Sequence, residues 1–396
     1  MTMRIAYLSH IDVRSPRAHV HNSLKTCEAL QAAGDDVTFI NPDMAPADLD
    51  AILRAHDIRT PFQMRFLGRV GAQEQNQPSR IKRVFAVVRM IASLNGYLWR
   101  HRKEIDVVYY RYHLLLKPAL FAKWILRKRV VFESHYVYLA KPIAQSITNA
   151  AVHSADGVVA ITDALRKHYV LSDERSVMAP CHAAEFEHVP IEDTATLRRD
   201  LDLPSDKIIL CYTGSLGATI QGISYEVETM VDVLKDLPTN VISLIVGARS
   251  DRPDGEDLRK RAEKLGVADR VIIRPWSDRT TVMKYLAASD VLVMPRVGTA
   301  PGSSPSKMFD YLAIAKPIVA ASTPPVDEIL TDGENALLVD ADKPEQWTSA
   351  ISRVLSDKQL AEKLHDGAMA TGRRYTWAER GKTIHAFLER IYAIPR

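Results

Sequence analysis

Short apolar runs rich in β-branched residues recur along this chain between longer, helix-like stretches, and that alternation restricts the fold more than any other feature. In the first half the runs are Arg4–Leu8, Asp36–Ile40, Asp106–Tyr110, Arg129–Glu133 and Gly157–Ile161. In the second half they are Lys207–Thr213, Val241–Val246, Arg270–Ile273, Val291–Met294, Pro317–Ala320 and Ala336–Val339. Runs that are apolar throughout, rather than at every second residue, belong to strands covered by helices on both faces, as in a parallel sheet. Strand and helix in alternation build right-handed βαβ units, here twice over. The sequence therefore predicts an α/β chain of two doubly wound domains of similar size. Its 396 residues agree, because a single core rarely grows past about 250–300 residues. The stretch Asp193–Asp206, polar and without a strand pattern, reads as the linker.

Composition narrows the functional classes. With 46% hydrophobic and 25% charged residues the chain has the make-up of a globular protein. A formal charge of +4 is too small to require a nucleic-acid partner. Cys27, Cys181 and Cys211 are odd in number and lack metal-ligand spacing, so they read as reduced thiols. No run approaches the roughly 20 apolar residues of a membrane span, and Met1–His10 reads as a first strand rather than a signal peptide. Together these predict a cytoplasmic enzyme. Between Arg59 and Lys103 the basic residues Arg59, Arg65, Arg69, Arg80, Lys82, Arg83, Arg89, Arg100, Arg102 and Lys103 accompany a single acid, Glu74. Phe62, Phe66, Val84, Phe85, Val87, Val88, Met90 and Ile91 interleave with them. Such a stretch suits peripheral contact with an anionic membrane, here the inner face, or an amphipathic helix packed on the first domain with solvated arginines.

Open α/β sheets bind ligands beyond the carboxyl ends of their strands, and a cleft between two such domains is the expected site. Arg14, Arg17 and His19 follow the first strand and suit an anionic group of an acceptor, or form a plain basic loop. Glu133 and His135 end the fourth run with a carboxylate and an imidazole two residues apart, a pair suited to acid–base or orienting work. Gly214-Ser215, opening a glycine-containing loop, suits a phosphate cradle or a tight turn. Gly247-Ala248-Arg249 and Pro275-Trp276 would wall a nucleobase if their strands are neighbours. The stretch from Pro295 to Ala320 says most. Ser304 reads as an N-cap and Pro305 as the first residue of a helix running to Ala315. Its free first-turn amides and Lys307 make an anion site, approached by a loop of small residues (Gly302, Ser303) and Arg296. Asp310, one turn on, is placed to bind ribose hydroxyls.

These residues carry a resemblance. Ser304-Pro305-Ser306-Lys307-Met308-Phe309-Asp310-Tyr311-Leu312-Ala313-Ile314-Ala315-Lys316-Pro317-Ile318-Val319-Ala320 is similar to the SPSKhhEYhAhGKPhhA pattern of the retaining glycosyltransferases of family 4 (glycosyl transferases group 1), which have the GT-B fold. Val326–Val339 resembles that family's EIIxDGxNGLLV segment, Cys211–Ser215 the start of its second domain, and Phe132–His135 its acidic-x-His strand end. The resemblance implies two Rossmann-like domains, 1–192 for the acceptor and 193–375 for a nucleotide sugar, with 376–396 a helix crossing back to the first. It implies that Asp310 binds the donor ribose, that Ser304, Ser306 and Lys307 border the diphosphate, and that His135 borders the donor sugar. Three positions depart from the pattern: Gly302 replaces the first glutamate of E-x7-E, Ser215 and Gln221 replace an arginine and a lysine, and Arg14-Ser15-Pro16-Arg17 replaces a glycine-rich loop. The charge of a UDP- or GDP-type donor then falls to Lys307, with Arg296 or Arg249 as further cations.

The activity expected is transfer of a sugar, with retention, to a glycan, a lipid-linked acceptor or a small molecule. No cofactor is expected. No H-E-x-x-H and no paired aspartate motif is present, so the expected chemistry is metal-independent. Two other classes fit the same fold, a nucleotide-sugar epimerase and a catalytically inactive partner protein, the latter suggested by the three departures.

Overall fold

A computed structural model describes the chain except for residues 16, 69–79, 138–140, 217–225, 296–301, 303 and 396. The chain divides into two compact units, Met1–Cys181 with Trp377–Arg396, and His182–Thr376.

The first unit holds a parallel sheet of strands β1 (Arg4–Leu8), β2 (Asp36–Asn41), β3 (Gln63–Phe66), β4 (Val107–Tyr110), β5 (Arg129–Ser134), β6 (Gly157–Ala160) and β7 (Ser176–Met178) in the order β3-β2-β1-β4-β5-β6-β7. The second holds β8 (Ile208–Thr213), β9 (Val241–Ala248), β10 (Val271–Pro275), β11 (Val291–Met294), β12 (Ile318–Ala321) and β13 (Leu337–Val339), also parallel, in the order β10-β9-β8-β11-β12-β13. The order reverses between β1 and β4 and between β8 and β11, and at such switch points the strand ends open toward ligand. All eleven apolar runs became strands. The two further strands, β3 and β7, lie at the sheet edges; β3 alternates polar and apolar residues and β7 has three residues, too short to signal itself.

Two expectations about the junction are corrected. Asp193–Asp206 is no linker: Thr194–Asp200 is a helix whose Asp193 cap accepts from the Thr196 amide at 2.9 Å. Leu197 enters the second core, and buried Arg198 donates to Asp290 at 2.7 Å. The polar pattern belonged to one exposed face. Residues 182–192, assigned to the first domain, group with the second unit, because Ala184 packs in its core and donates its amide to the Tyr375 carbonyl at 2.8 Å.

The first helix, Ala18–Ala32, is buried along almost its whole length rather than amphipathic, since the final helix, Trp377–Ala393, packs against it. Ile384, Phe387, Leu388 and Ile391 of that final helix complete the first core. The helices approach closely at Gly381, where a Cβ would stand 2.2 Å from the Ala29 carbonyl oxygen. Polar groups caught on the first helix are paired: Lys25 lies 2.7 Å from Glu28, and Glu28 also accepts from the Thr60 amide at 2.8 Å.

One strained position makes a simple prediction. Val170 follows the helix Asp163–His168 with φ of 52° and is 90% exposed. A β-branched residue there carries the left-handed penalty with no packing in return. Val170→Gly should raise stability by about 1 kcal/mol, read as a higher urea midpoint; a lower midpoint would contradict this reading of the turn.

Candidate functional site

The second unit gathers its functional groups where β8 and β9 end. Gly214 and Gly247 have φ of 138° and 135°, and a Cβ on Gly247 would stand 1.9 Å from the Gly214 carbonyl oxygen. Only glycine at 247 lets these strand ends close to this distance. A Cβ on Gly214 would in turn stand 2.8 Å from the Lys307 Nζ, so the glycine makes room for the ammonium. Lys307 is buried, donates to the Tyr212 hydroxyl at 2.8 Å, and holds its Nζ 4.1 Å from the Tyr212 ring centre. Tyr212 donates onward to the Ser215 carbonyl at 2.7 Å, linking the loop after β8 to the lysine. Burial pushes the Lys307 ammonium down to about 7.

Lys307 sits in the first turn of the helix Ser306–Ile314. The expected cap is corrected by one residue. Pro305 is the cap, with no side-chain acceptor of its own, and Ser306 opens the helix, so Ser304 lies ahead of the cap. A helix start whose cap residue offers no side-chain acceptor suits an anion. Asp310 faces Arg279, whose Nη2 donates to Oδ1 at 2.6 Å and also lies 3.1 Å from Glu185. The guanidinium fixes the orientation of the carboxylate expected to meet ribose. Arg279 and Glu185 were not read from sequence; Arg279 follows β10 closely and the strand-end rule would have found it. Tyr212 lies inside a strand, and no local pattern marked it.

The remaining residues divide. β9 and β10 are neighbours, and the Trp276 amide donates to the Ala248 carbonyl at 2.8 Å, which brings the two expected base walls together beside Pro275. Arg249 does not contribute a disengaged cation: Asp251 accepts from its guanidinium at 2.9 and 3.0 Å. Gly302 occupies a turn. Arg296, Ser303 and Gln221 lie outside the described residues.

In the first unit Glu133 is 1% exposed at the end of β5. Its Oε1 lies 2.5 Å from His135 Nε2, and its Oε2 accepts from Arg380 at 2.9 Å and from the Tyr109 hydroxyl. Burial works to raise this carboxyl, but Arg380, His135 and Arg111 outweigh it and hold it well below the usual carboxylate range. Enclosed in this way, Glu133 is placed to orient His135, the second of the two roles the pair suggested. Burial, with Arg111, pushes His135 down to about 4, so at neutral pH it is uncharged and donates from Nε2 to the carboxylate.

The loop after β1 is less poised than its charge suggested. Arg14 is exposed and donates to Asp12 at 2.7 and 3.0 Å. Arg17 precedes the first helix, exposed, and His19 is half-buried with its pKa lowered by burial and by Arg111 and Arg17. Buried Arg111, missed although it directly follows β4, reaches the His19 carbonyl at 3.4 Å and the Ser23 hydroxyl at 3.5 Å.

His135 sets a pH dependence. Its folded pKa lies below its unfolded value, so the stability of the neutral ring is complete above pH 6.5 and lost as pH falls from 6.5 through 4. Folding free energy should drop by about 2–3 kcal/mol over that range from this residue alone. Urea unfolding of the full chain at pH 7 and pH 4.5 measures it, and equal midpoints would contradict it.

Residues 193–370 match the family model described as glycosyl transferases group 1. The D-inositol 3-phosphate glycosyltransferase of Xylanimonas cellulosilytica is 28% identical over 238 residues, covering 58% of this chain and 55% of that protein. The chain spans about half the length of the curated relatives it matches. A glycosyltransferase from Rickettsia africae superposes with a TM-score of 0.74 at 15% identity, covering 99% of this chain and 100% of the other. Anabaena HepE in complex with UDP-glucose superposes with a TM-score of 0.69 at 17% identity, covering 97% and 99%. These structural likenesses establish the GT-B fold.

Proposed function

We propose, for a chain that carries a glycosyl transferases group 1 domain on a GT-B fold, that the protein moves a sugar from a nucleoside-diphosphate sugar to an acceptor with retention at the anomeric carbon. The observation that carries this reading is the placing of Lys307. A buried ammonium in the first turn of a helix, with glycine opposite it, suits the charge that develops on a departing diphosphate. Asp310, oriented by Arg279, would take the ribose, and the Ala248–Trp276 ends of β9 and β10 would wall the base. UDP is the first donor base to test, given the ligand that HepE holds. In the first unit Arg14, Arg17 and His19 would meet the acceptor, and His135, oriented by Glu133, would border the donor sugar.

The leaving-group charge meets Lys307 and the helix amides, so we propose that no metal takes part. EDTA should leave the transfer rate within about twofold of the untreated rate; loss restored by a divalent cation would overturn metal independence. The basic stretch within 59–103 is proposed to meet anionic membrane, and co-sedimentation with anionic liposomes at low salt tests it.

Turnover of a panel of nucleotide sugars tests the central reading. Release of nucleotide together with a glycosylated product supports transfer. A changed sugar without release supports epimerisation, and the absence of both supports an inactive partner.

A further inference from the structure

The helix Pro142–Ser154 of the first unit buries Thr148, Ala151 and Val152 and turns a polar row away from them. Gln145, Asn149 and His153 follow one another at four-residue spacing on one face, a row about 12 Å long. With His168 and Tyr169, at the end of the helix Asp163–His168, they line a groove of about 420 Å³. That volume lies within the range of small-ligand sites, roughly 300–1,000 Å³. Val137 and Val170 complete the lining with hydrocarbon.

The polar groups of the groove hold one another in place. Gln145 donates to the Asn149 side-chain oxygen at 2.6 Å and to the Tyr169 hydroxyl at 3.3 Å. That hydroxyl donates in turn to the Tyr136 carbonyl at 3.1 Å, and the exposed His168 ring stands edge-on to Tyr169 with centres 4.8 Å apart. Among the described residues the lining has no ammonium, guanidinium or carboxylate. Its amides and imidazoles both donate and accept, as a sugar hydroxyl does. One end of the groove adjoins the residue proposed to border the donor sugar, because Val137 stands two residues after His135, at most about 7 Å along the chain. Val170 adds a separate observation. Its φ of 52° and 90% exposure bring the fold no packing, and strain of that kind gathers where ligands are gripped.

We infer that this groove holds a neutral saccharide, a run of uncharged sugar units belonging to the acceptor and lying outside the reacting centre. The inference rests on the transferase reading above and adds to it a holding site for the acceptor chain. An anionic ligand would find no counter-charge among these side chains. A hydrocarbon would strip water from Gln145, Asn149 and His153 without replacing its hydrogen bonds. A sugar chain suits both parts of the lining, with hydroxyls on the polar row and ring C–H faces on Val137 and Val170.

The test is binding to the full chain, by calorimetry, of neutral pentasaccharides (α-1,4-glucan, β-1,4-glucan and α-1,6-mannan) beside anionic penta-galacturonate and free glucose. UDP binding is measured on the same samples. At least one neutral pentasaccharide should bind saturably and tenfold or more tightly than penta-galacturonate and glucose. Asn149→Ala and His153→Ala, both at exposed positions, should each weaken it about tenfold while UDP affinity stays unchanged. Val170→Gly should weaken it about threefold or more even as the urea midpoint rises, a split that a purely structural role for Val170 would not produce. Saturable binding by none of the neutral pentasaccharides would overturn the inference. Tighter binding of penta-galacturonate would overturn the neutral class, and wild-type affinity in all three variants would overturn the placing in this groove. If the chain fails to bind any nucleoside diphosphate, the donor reading has failed, and the pentasaccharide result still decides the groove.

Discussion

Lys307→Met should lower sugar transfer about a hundredfold or more, the loss seen when one preorganised donor to a developing oxyanion is removed. The chain should nevertheless fold as well as before. A buried ammonium is expensive to hold, as the lowering of Lys307 to about 7 records, and replacing it with an apolar chain of similar length removes that cost. Loss of turnover at equal or higher melting temperature would thus separate a chemical role from a structural one. The same residue predicts a pH profile for donor affinity. The ammonium that meets the diphosphate is about half deprotonated near pH 7 in the unbound chain, so wild-type affinity for UDP should weaken as pH rises from 7 to 9. In Lys307→Met that slope should vanish. Turnover within tenfold of wild type would end the assignment.

Arg380→Met should destabilise the first unit by about 3–5 kcal/mol, the range for breaking a buried ion pair from one side. Arg380 is 5% exposed and donates to Glu133 at 2.9 Å, to the Pro180 carbonyl at 2.6 Å and to the Ala179 carbonyl. Without it, Glu133 keeps its burial but loses the strongest of the influences that hold its proton off. The carboxyl should then take up a proton or draw in water. The double variant Arg380→Met, Glu133→Gln separates the causes. If the unpaired carboxylate dominates, the second change should restore much of the loss. If the carbonyls of Ala179 and Pro180 dominate, it should restore little. Calorimetry of the three chains reads the difference, and a loss below about 1 kcal/mol for the single variant would contradict the buried-pair account.

Much of the architecture could be read ahead because both sheets are buried on both sides, and buried parallel strands write themselves as unbroken apolar runs. Where a strand is half exposed, as at Gln63–Phe66, the signal fades. The helix Thr194–Asp200 was hidden by its own solvated face, and the burial of Ala18–Ala32 depends on a helix more than three hundred residues away. The site shows the same division. Lys307 and Asp310 follow a strand and open a helix, a local pattern, and so could be named. Tyr212, Arg279 and Arg380 matter through partners distant in sequence, and Arg380 cannot be linked to Glu133 until the last helix is seen lying on the first sheet. Gly214 and Gly247 were noticed as glycines, but the need for them comes from the approach of one backbone to the other.

The return of the chain to its first unit has a consequence for how the protein is made. At about 5–20 residues per second, a ribosome needs roughly 10–40 s to pass from residue 181 to residue 377. Throughout that interval the first-made part lacks Ile384, Phe387 and Leu388, and its Glu133 lacks the Arg380 guanidinium. The middle segment, His182–Thr376, is one continuous stretch of chain. Nascent chains of this protein should therefore complete the second unit before the first, and the amino-terminal half is the part exposed to chaperones during translation.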